Sequence, residues 1–175
     1  SAGIAINEDI AQPETIYEDD GEITIDGRVL VELNRPDPSR SQWSLREGIM
    51  WSLNVVFAQV GIEIGGDTFW QYGPQLGFEQ SIPYDLPISQ SQLANNKDFL
   101  NDPNALADTG FGQGQIQMSP MHLAMTSAMW ANGGTMMEPI LVSEVTDADG
   151  SVLYRAEPTV FLQCVDPTTA NAVMD

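Results

Sequence analysis

The sequence predicts an α+β fold in which helices dominate and short β-hairpins sit at the periphery. Three observations lead there. Ser44-Leu45-Arg46-Glu47 has the capping-box form, ahead of an apolar run at helical spacing. Ser119-Pro120 opens a second helical stretch, with a cap residue followed by a proline whose missing N–H does no harm in the first turn. Two alternating segments turn back at Asp26-Gly27 and at Asp147-Ala148-Asp149-Gly150, as hairpins do.

In chain order, residues 1–43 read as a lead-in of irregular chain and short strands, with the hairpin spanning Ile23 to Leu30. The acidic run Glu18-Asp19-Asp20 before it is a solvated turn. Residues 44–134 form the helical region. Leu45, Ile49, Ser52 or Leu53, Val56 and Val60 follow the capping box at helical spacing, and Ser52 and Asn54 interrupt that apolar stripe. A shorter helix runs from Asp67 toward Leu76 and closes at Gly77, with Gly73-Pro74 expected to break or kink it. The loop 83–108 is rich in Pro, Ser, Asn, Gln and Asp and is expected to hold little regular structure. In the Ser119 helix the expected buried face is Met121, Ala124, Met125, Ala128 and Met129, and Asn132-Gly133-Gly134 stop it. Residues 135–175 supply a hairpin between Ile140 and Tyr154 and then a helix beginning near Thr168.

Composition sets the outer limits. With 175 residues, 42% hydrophobic and 8% aromatic, the chain can bury one real core. Its formal net charge of -19 repels nucleic acid and anionic membranes, so neither is an expected partner. No apolar run approaches the ~18 residues needed to span a bilayer, and the Ile49 to Val60 stretch is broken by Ser52, Asn54 and Gln59. No charged-then-apolar targeting signal opens the chain. A single cysteine, Cys164, lies in an apolar stretch and excludes an internal disulfide.

Several constellations carry no chemistry of their own. Asp147-Ala148-Asp149-Gly150 lacks the further oxygen ligand and the distant glutamate of a calcium loop. Gly110-Phe111-Gly112-Gln113-Gly114 lacks the spacing and the preceding strand of a dinucleotide fingerprint. His122 is the sole histidine, which excludes a multi-histidine zinc site, and it is expected at the edge of its helix. No metal or cofactor is expected. Ser52-Leu53-Asn54 is a common tripeptide by itself, and its context gives it weight.

That context resembles the transpeptidase domain of penicillin-binding proteins, most closely the monofunctional class. The resemblance rests on the order of weak motifs: Trp51-Ser52-Leu53-Asn54-Val55-Val56-Phe57-Ala58-Gln59, Leu76-Gly77-Phe78, Gly112-Gln113-Gly114, Ser119-Pro120 ahead of its helix, Ala131-Asn132-Gly133-Gly134 and Pro139-Ile140-Leu141-Val142. Ser119 stands where the family usually has Thr, and Gly48 where it often has Ala. The match is colinear over about residues 2–175. The resemblance implies a partial domain of the penicillin-binding transpeptidase/serine β-lactamase-like fold, its helical subdomain with peripheral hairpins and an incomplete sheet.

The family mechanism uses a Ser-x-x-Lys, a Ser-x-Asn and a Lys-Thr-Gly motif. Serine attacks the D-Ala-D-Ala carbonyl, and the acyl-enzyme then passes to an amine acceptor. By resemblance, Ser52 is the catalytic proton relay to the leaving group, and Asn54 binds the substrate's amide carbonyl. Leu53 packs behind them. Lys97 is the only lysine, in Asn95-Asn96-Lys97-Asp98, and fits neither lysine motif. The expectation is therefore an internal piece of a D,D-transpeptidase, inactive by itself. Its intact parent would act on peptidoglycan stem peptides, bind β-lactams and lie on the cell-wall side of the membrane. An apolar face left uncovered would allow self-association. The rival expectation is a non-catalytic transpeptidase-like module serving as an interaction domain.

Overall fold

The computed structural model describes residues 1–175. Its elements are, in order, α1 (Ala2–Asn7), β1 (Ile16–Glu18), β2 (Glu22–Ile25), β3 (Arg28–Val31), β4 (Gln42–Ser44), α2 (Leu45–Trp51), α3 (Asn54–Gln75), α4 (Pro103–Gly110), α5 (Pro120–Ala131), β5 (Thr135–Met137), β6 (Glu144–Thr146), β7 (Val152–Arg155), β8 (Val160–Gln163) and α6 (Pro167–Met174). The strands pair antiparallel as β1–β4, β2–β3, β5–β8 and β6–β7, four separate two-stranded sheets around a helical centre. The chain is α+β with no continuous sheet.

Local chemistry explains most boundaries. Asp26 and Gly27 both take positive φ between Ile25 and its partner Arg28, the two-residue turn whose twist suits a hairpin. The α2 capping box closes in both directions: the Ser44 hydroxyl accepts from the Glu47 amide at 3.2 Å, and the Glu47 carboxylate accepts from the Ser44 amide at 2.9 Å. Ser119 caps α5 by accepting from the His122 amide at 3.2 Å, with Pro120 in the first turn.

The core centres on α3. Leu53, Val56, Val60, Ile64 and Phe69 share one apolar cluster with α1, Tyr17, Trp43, Leu100 and Val165. A smaller cluster joins Met125, Met129, Met136 and Cys164 between α5, β5 and the end of β8. The buried Cys164 thiol is pushed up to about 11 by desolvation.

Five expectations need correction, the first being the solvated acidic turn: Glu18 ends β1, and Asp19 is buried and accepts from the Gly21 amide at 2.8 Å. The apolar stripe from Leu45 to Val60 is two helices rather than one, because Ser52 sits in the left-handed region at φ 56°, ψ 51°. The later helix is part of α3, and its break lies at Gly65 (φ 74°, ψ 160°) rather than at Gly73-Pro74. Pro74 falls one residue before the helix ends, so little chain remains for it to bend. The loop 83–108 is irregular only in its first half: a 3₁₀ turn, Lys97–Asn101, and α4 follow. Asn96 caps the turn by accepting from the Phe99 amide, and Asp102 caps α4 by accepting from the Asn104 amide at 2.7 Å. Finally, α5 is rotated from the expected face. His122, Met125 and Met129 point inward, while Ala124 and Ala128 are exposed. His122 is fully buried, its Nε2 donating to the Leu76 carbonyl at 2.8 Å, with Phe78 edge-on at 5.0 Å.

Candidate functional site

The corner between α2 and α3 carries Ser52, Leu53 and Asn54. Ser52 ends α2, its amide donating to the Ile49 carbonyl at 3.2 Å, while the Leu53 amide reaches the Gly48 carbonyl at 2.9 Å. The left-handed residue ends α2 and separates it from α3. Leu53, in extended conformation, drives its side chain into the core and is fully buried. Asn54 then opens α3. The break places Ser52 and Asn54 on the same side of the corner, with Leu53 behind them.

Both residues line one cleft of about 380 Å³. Its walls include Phe57 and Phe69 of α3, Leu76 and Phe78 past the α3 terminus, and the Gly110-Phe111-Gly112 turn after α4. The glycine-rich segment reaches this position through close backbone contact. A Cβ on Gly110 would stand 2.2 Å from the Phe57 carbonyl oxygen, and one on Gly61 would stand 2.4 Å from the Leu106 carbonyl oxygen. α3 and α4 therefore touch backbone to backbone at Gly61 and Gly110.

The corner is held from outside. Hairpin β2–β3 ends at Glu32, whose amide donates to the Gly21 carbonyl at 2.7 Å. The Glu32 side chain is 6% exposed. One carboxylate oxygen accepts from the Val55 amide at 3.0 Å, and the other from the Leu33 and Asn34 amides at 2.8 and 2.9 Å. The Asn34 side-chain amide donates to the Ser52 carbonyl at 3.1 Å. Local sequence gives no sign of these supports, since Glu32 lies 23 residues from Val55 and Asn34 lies 18 from Ser52.

Lys97, the sole lysine, pairs with Asp67 at 2.7 Å in an exposed contact. No group of three or more His, Cys, Asp or Glu side chains is placed to hold a metal ion. No helix is long and apolar enough to cross a membrane.

Comparison with known proteins adds the family. The penicillin binding protein transpeptidase domain matches residues 1–175. The chain belongs to the penicillin-binding protein transpeptidase family. It is 40% identical over 103 residues to penicillin-binding protein 3 of Bacillus subtilis, which covers 59% of this chain and 15% of that protein. Among solved structures it is similar to the D,D-transpeptidase domain of a peptidoglycan glycosyltransferase from Eggerthella lenta. There the TM-score is 0.86 at 25% identity, over 98% of this chain and 44% of that one. It has the same fold as penicillin-binding protein A of M. tuberculosis in its imipenem acyl-enzyme complex, with a TM-score of 0.86 at 24% identity over 98% and 40% of the two chains. The chain thus spans less than half the length of these proteins.

Proposed function

We propose that this chain is the Ser-x-Asn portion of a serine-type peptidoglycan D,D-transpeptidase, acting on the cell-wall side of the membrane. The observation that carries the proposal is the left-handed break at Ser52, which puts Ser52 and Asn54 on one cleft. The chemistry fits the residue types. A hydroxyl both accepts and donates, so Ser52 takes a proton on one side and passes one to the departing amine on the other, with no net charge left behind. The Asn54 amide offers two N–H donors and one acceptor, which suits a neutral peptide carbonyl of a stem peptide or the amide of a β-lactam side chain. The M. tuberculosis acyl-enzyme supports β-lactams as ligands of this domain type.

Neither a Ser-x-x-Lys nor a Lys-Thr-Gly sequence occurs in the 175 residues, and the only lysine is engaged with Asp67 on the surface. The 175-residue chain alone is accordingly unreactive toward penicillin in this reading. The test is labelling with a fluorescent penicillin. The full-length protein carrying this chain is expected to form a stable adduct, and the isolated chain none. Ser52→Ala and Asn54→Ala are each expected to slow acylation of the full-length protein by roughly 10²-fold or more. A full-length protein that never labels would instead make this a non-catalytic interaction module.

A further inference from the structure

We infer that Glu32 is a positioning residue for the Ser52–Asn54 corner, acting as the N-terminal cap of α3 from a different element. This rests on the proposed role of Asn54. The first turn of any helix has backbone N–H groups without intrahelical partners, and the cap residue's side chain ordinarily satisfies one at the second or third position. At α3 that arrangement fails. The cap position is held by Leu53, whose side chain has no acceptor and is buried in the core instead. The vacancy follows from the middle residue being Leu53, whose side chain is committed to packing behind Ser52 and Asn54.

Glu32 fills that role from another element of the same chain. Its carboxylate accepts from the amide of Val55, the second residue of α3, at 3.0 Å. A carboxylate there also faces the positive end of the helix dipole. The other oxygen is fixed by the Leu33 and Asn34 amides, so the side chain has no freedom to drift. The same short segment supplies Asn34 to the Ser52 carbonyl. One strand end thus holds the peptide on both sides of Leu53, after Ser52 and after Asn54. A buried charged side chain is costly unless each lone pair has a partner. This one spends its partners on the backbone that aims Ser52 and Asn54.

The experiment uses the full-length protein with Glu32→Gln, Asn54→Ala and the double variant. The amide of glutamine keeps one acceptor oxygen and the side-chain volume, so the fold is retained while the three-way acceptance is lost. The acylation rate constant and the pre-covalent affinity for a fluorescent penicillin are measured separately by saturation. Glu32→Gln is expected to lower the acylation rate constant about 10- to 100-fold, with the pre-covalent affinity changed less than about threefold. In the Asn54→Ala background, adding Glu32→Gln is expected to cost clearly less than in the wild-type background, because part of its effect is exerted through Asn54. An unchanged rate constant in Glu32→Gln overturns the inference. So do losses that multiply in the double variant, which mark a merely structural role. If Asn54→Ala itself acylates at full rate, the reading of Asn54 fails, and this inference falls with it.

Discussion

Ser52 combines a strained backbone with the proton-relay role proposed for it. A non-glycine residue in the left-handed region costs about 1 kcal/mol or more, because its Cβ crowds the following carbonyl. The conformation is nonetheless required here, since it ends α2 and turns the chain so that Asn54 can open α3. Ser52→Gly should relieve the strain, leaving the fold as stable or up to ~1 kcal/mol more stable after the extra flexibility of glycine is counted. Acylation of the full-length protein should still fall by roughly 10²- to 10⁴-fold, through loss of the hydroxyl. Ser52→Ala keeps the strain and loses the hydroxyl, so it should match the kinetic loss without the gain in stability. Chemical denaturation beside penicillin labelling separates the two effects. A glycine variant that is clearly less stable than wild type would show that the left-handed turn stores no strain. Glu47 poses a different question at the same scale. Its bidentate pairing with Arg40 at 2.6 Å, and then the Ser44 amide, hold its pKa at about 2. A folded pKa below the unfolded one means that the stabilisation is complete above about pH 4.3, the usual glutamate value. It is lost as pH falls toward 2. The difference in melting temperature between wild type and Glu47→Gln should therefore be largest at neutral pH and shrink to little near pH 2. A constant difference across that range would show that the capping box does not depend on the charge.

Elements meet through two kinds of contact, and only one of them can be anticipated from sequence. The contacts legible in advance are local. Ser44 with Glu47, Ser119 with Pro120, and Asp26 with Gly27 each act within a few residues, so residue type and spacing are enough to place α2, α5 and the β2–β3 hairpin. Ser52 and Asn54 were singled out differently, by the order of the motifs around them, since the tripeptide alone is common. The contacts that resisted are long-range. Asn96 and Asp102 are caps of the same chemistry, but their polar neighbours hide the short turn and helix that packing against α3 stabilises. The inward face of α5 depends on His122 finding the Leu76 carbonyl, 46 residues away. Gly61 and Gly110 look like ordinary glycines until α3 and α4 are brought together. Gly61→Ala would place a methyl group 2.4 Å from the Leu106 carbonyl oxygen and 2.8 Å from the Gly110 Cα, both backbone atoms that cannot rotate aside. Separation of the two helices should cost roughly 3 kcal/mol by denaturant melts, at the upper end of ordinary overpacking. Because Gly110 and Gly112 line the cleft with Asn54, the full-length variant should also acylate more slowly. A Gly61→Ala variant as stable as wild type would rule out the close helix contact.

Across the whole molecule, apolar surface and charge pull in opposite directions. Four two-stranded sheets leave hairpins with little to cover them, and an isolated hairpin is marginal in water. Both strands of β6–β7 are exposed throughout, with Leu153 at 67%, and Met50 at the end of α2 is 64% exposed. Ile49, Trp51, Val145 and Tyr154 add to these faces. Apolar patches of this kind favour association. The net charge of -19 opposes it, since two copies repel each other at low ionic strength. The balance gives the proposed self-association a salt signature. Screening shortens from about 10 Å at 0.1 M to about 3 Å at 1 M, which weakens repulsion between copies while leaving apolar burial in place. Sedimentation velocity on the 175-residue chain should show mostly monomer at low salt, and a growing share of dimer or larger species as salt and protein concentration rise together. Replacing Met50 and Leu153 by glutamate should return the chain to monomer at high salt, because it removes apolar area and adds charge at the same faces. Association that weakens with salt would mean that ion pairs, not apolar faces, join the copies. A chain that stays monomeric at every salt and protein concentration would show that these faces do not pair with one another.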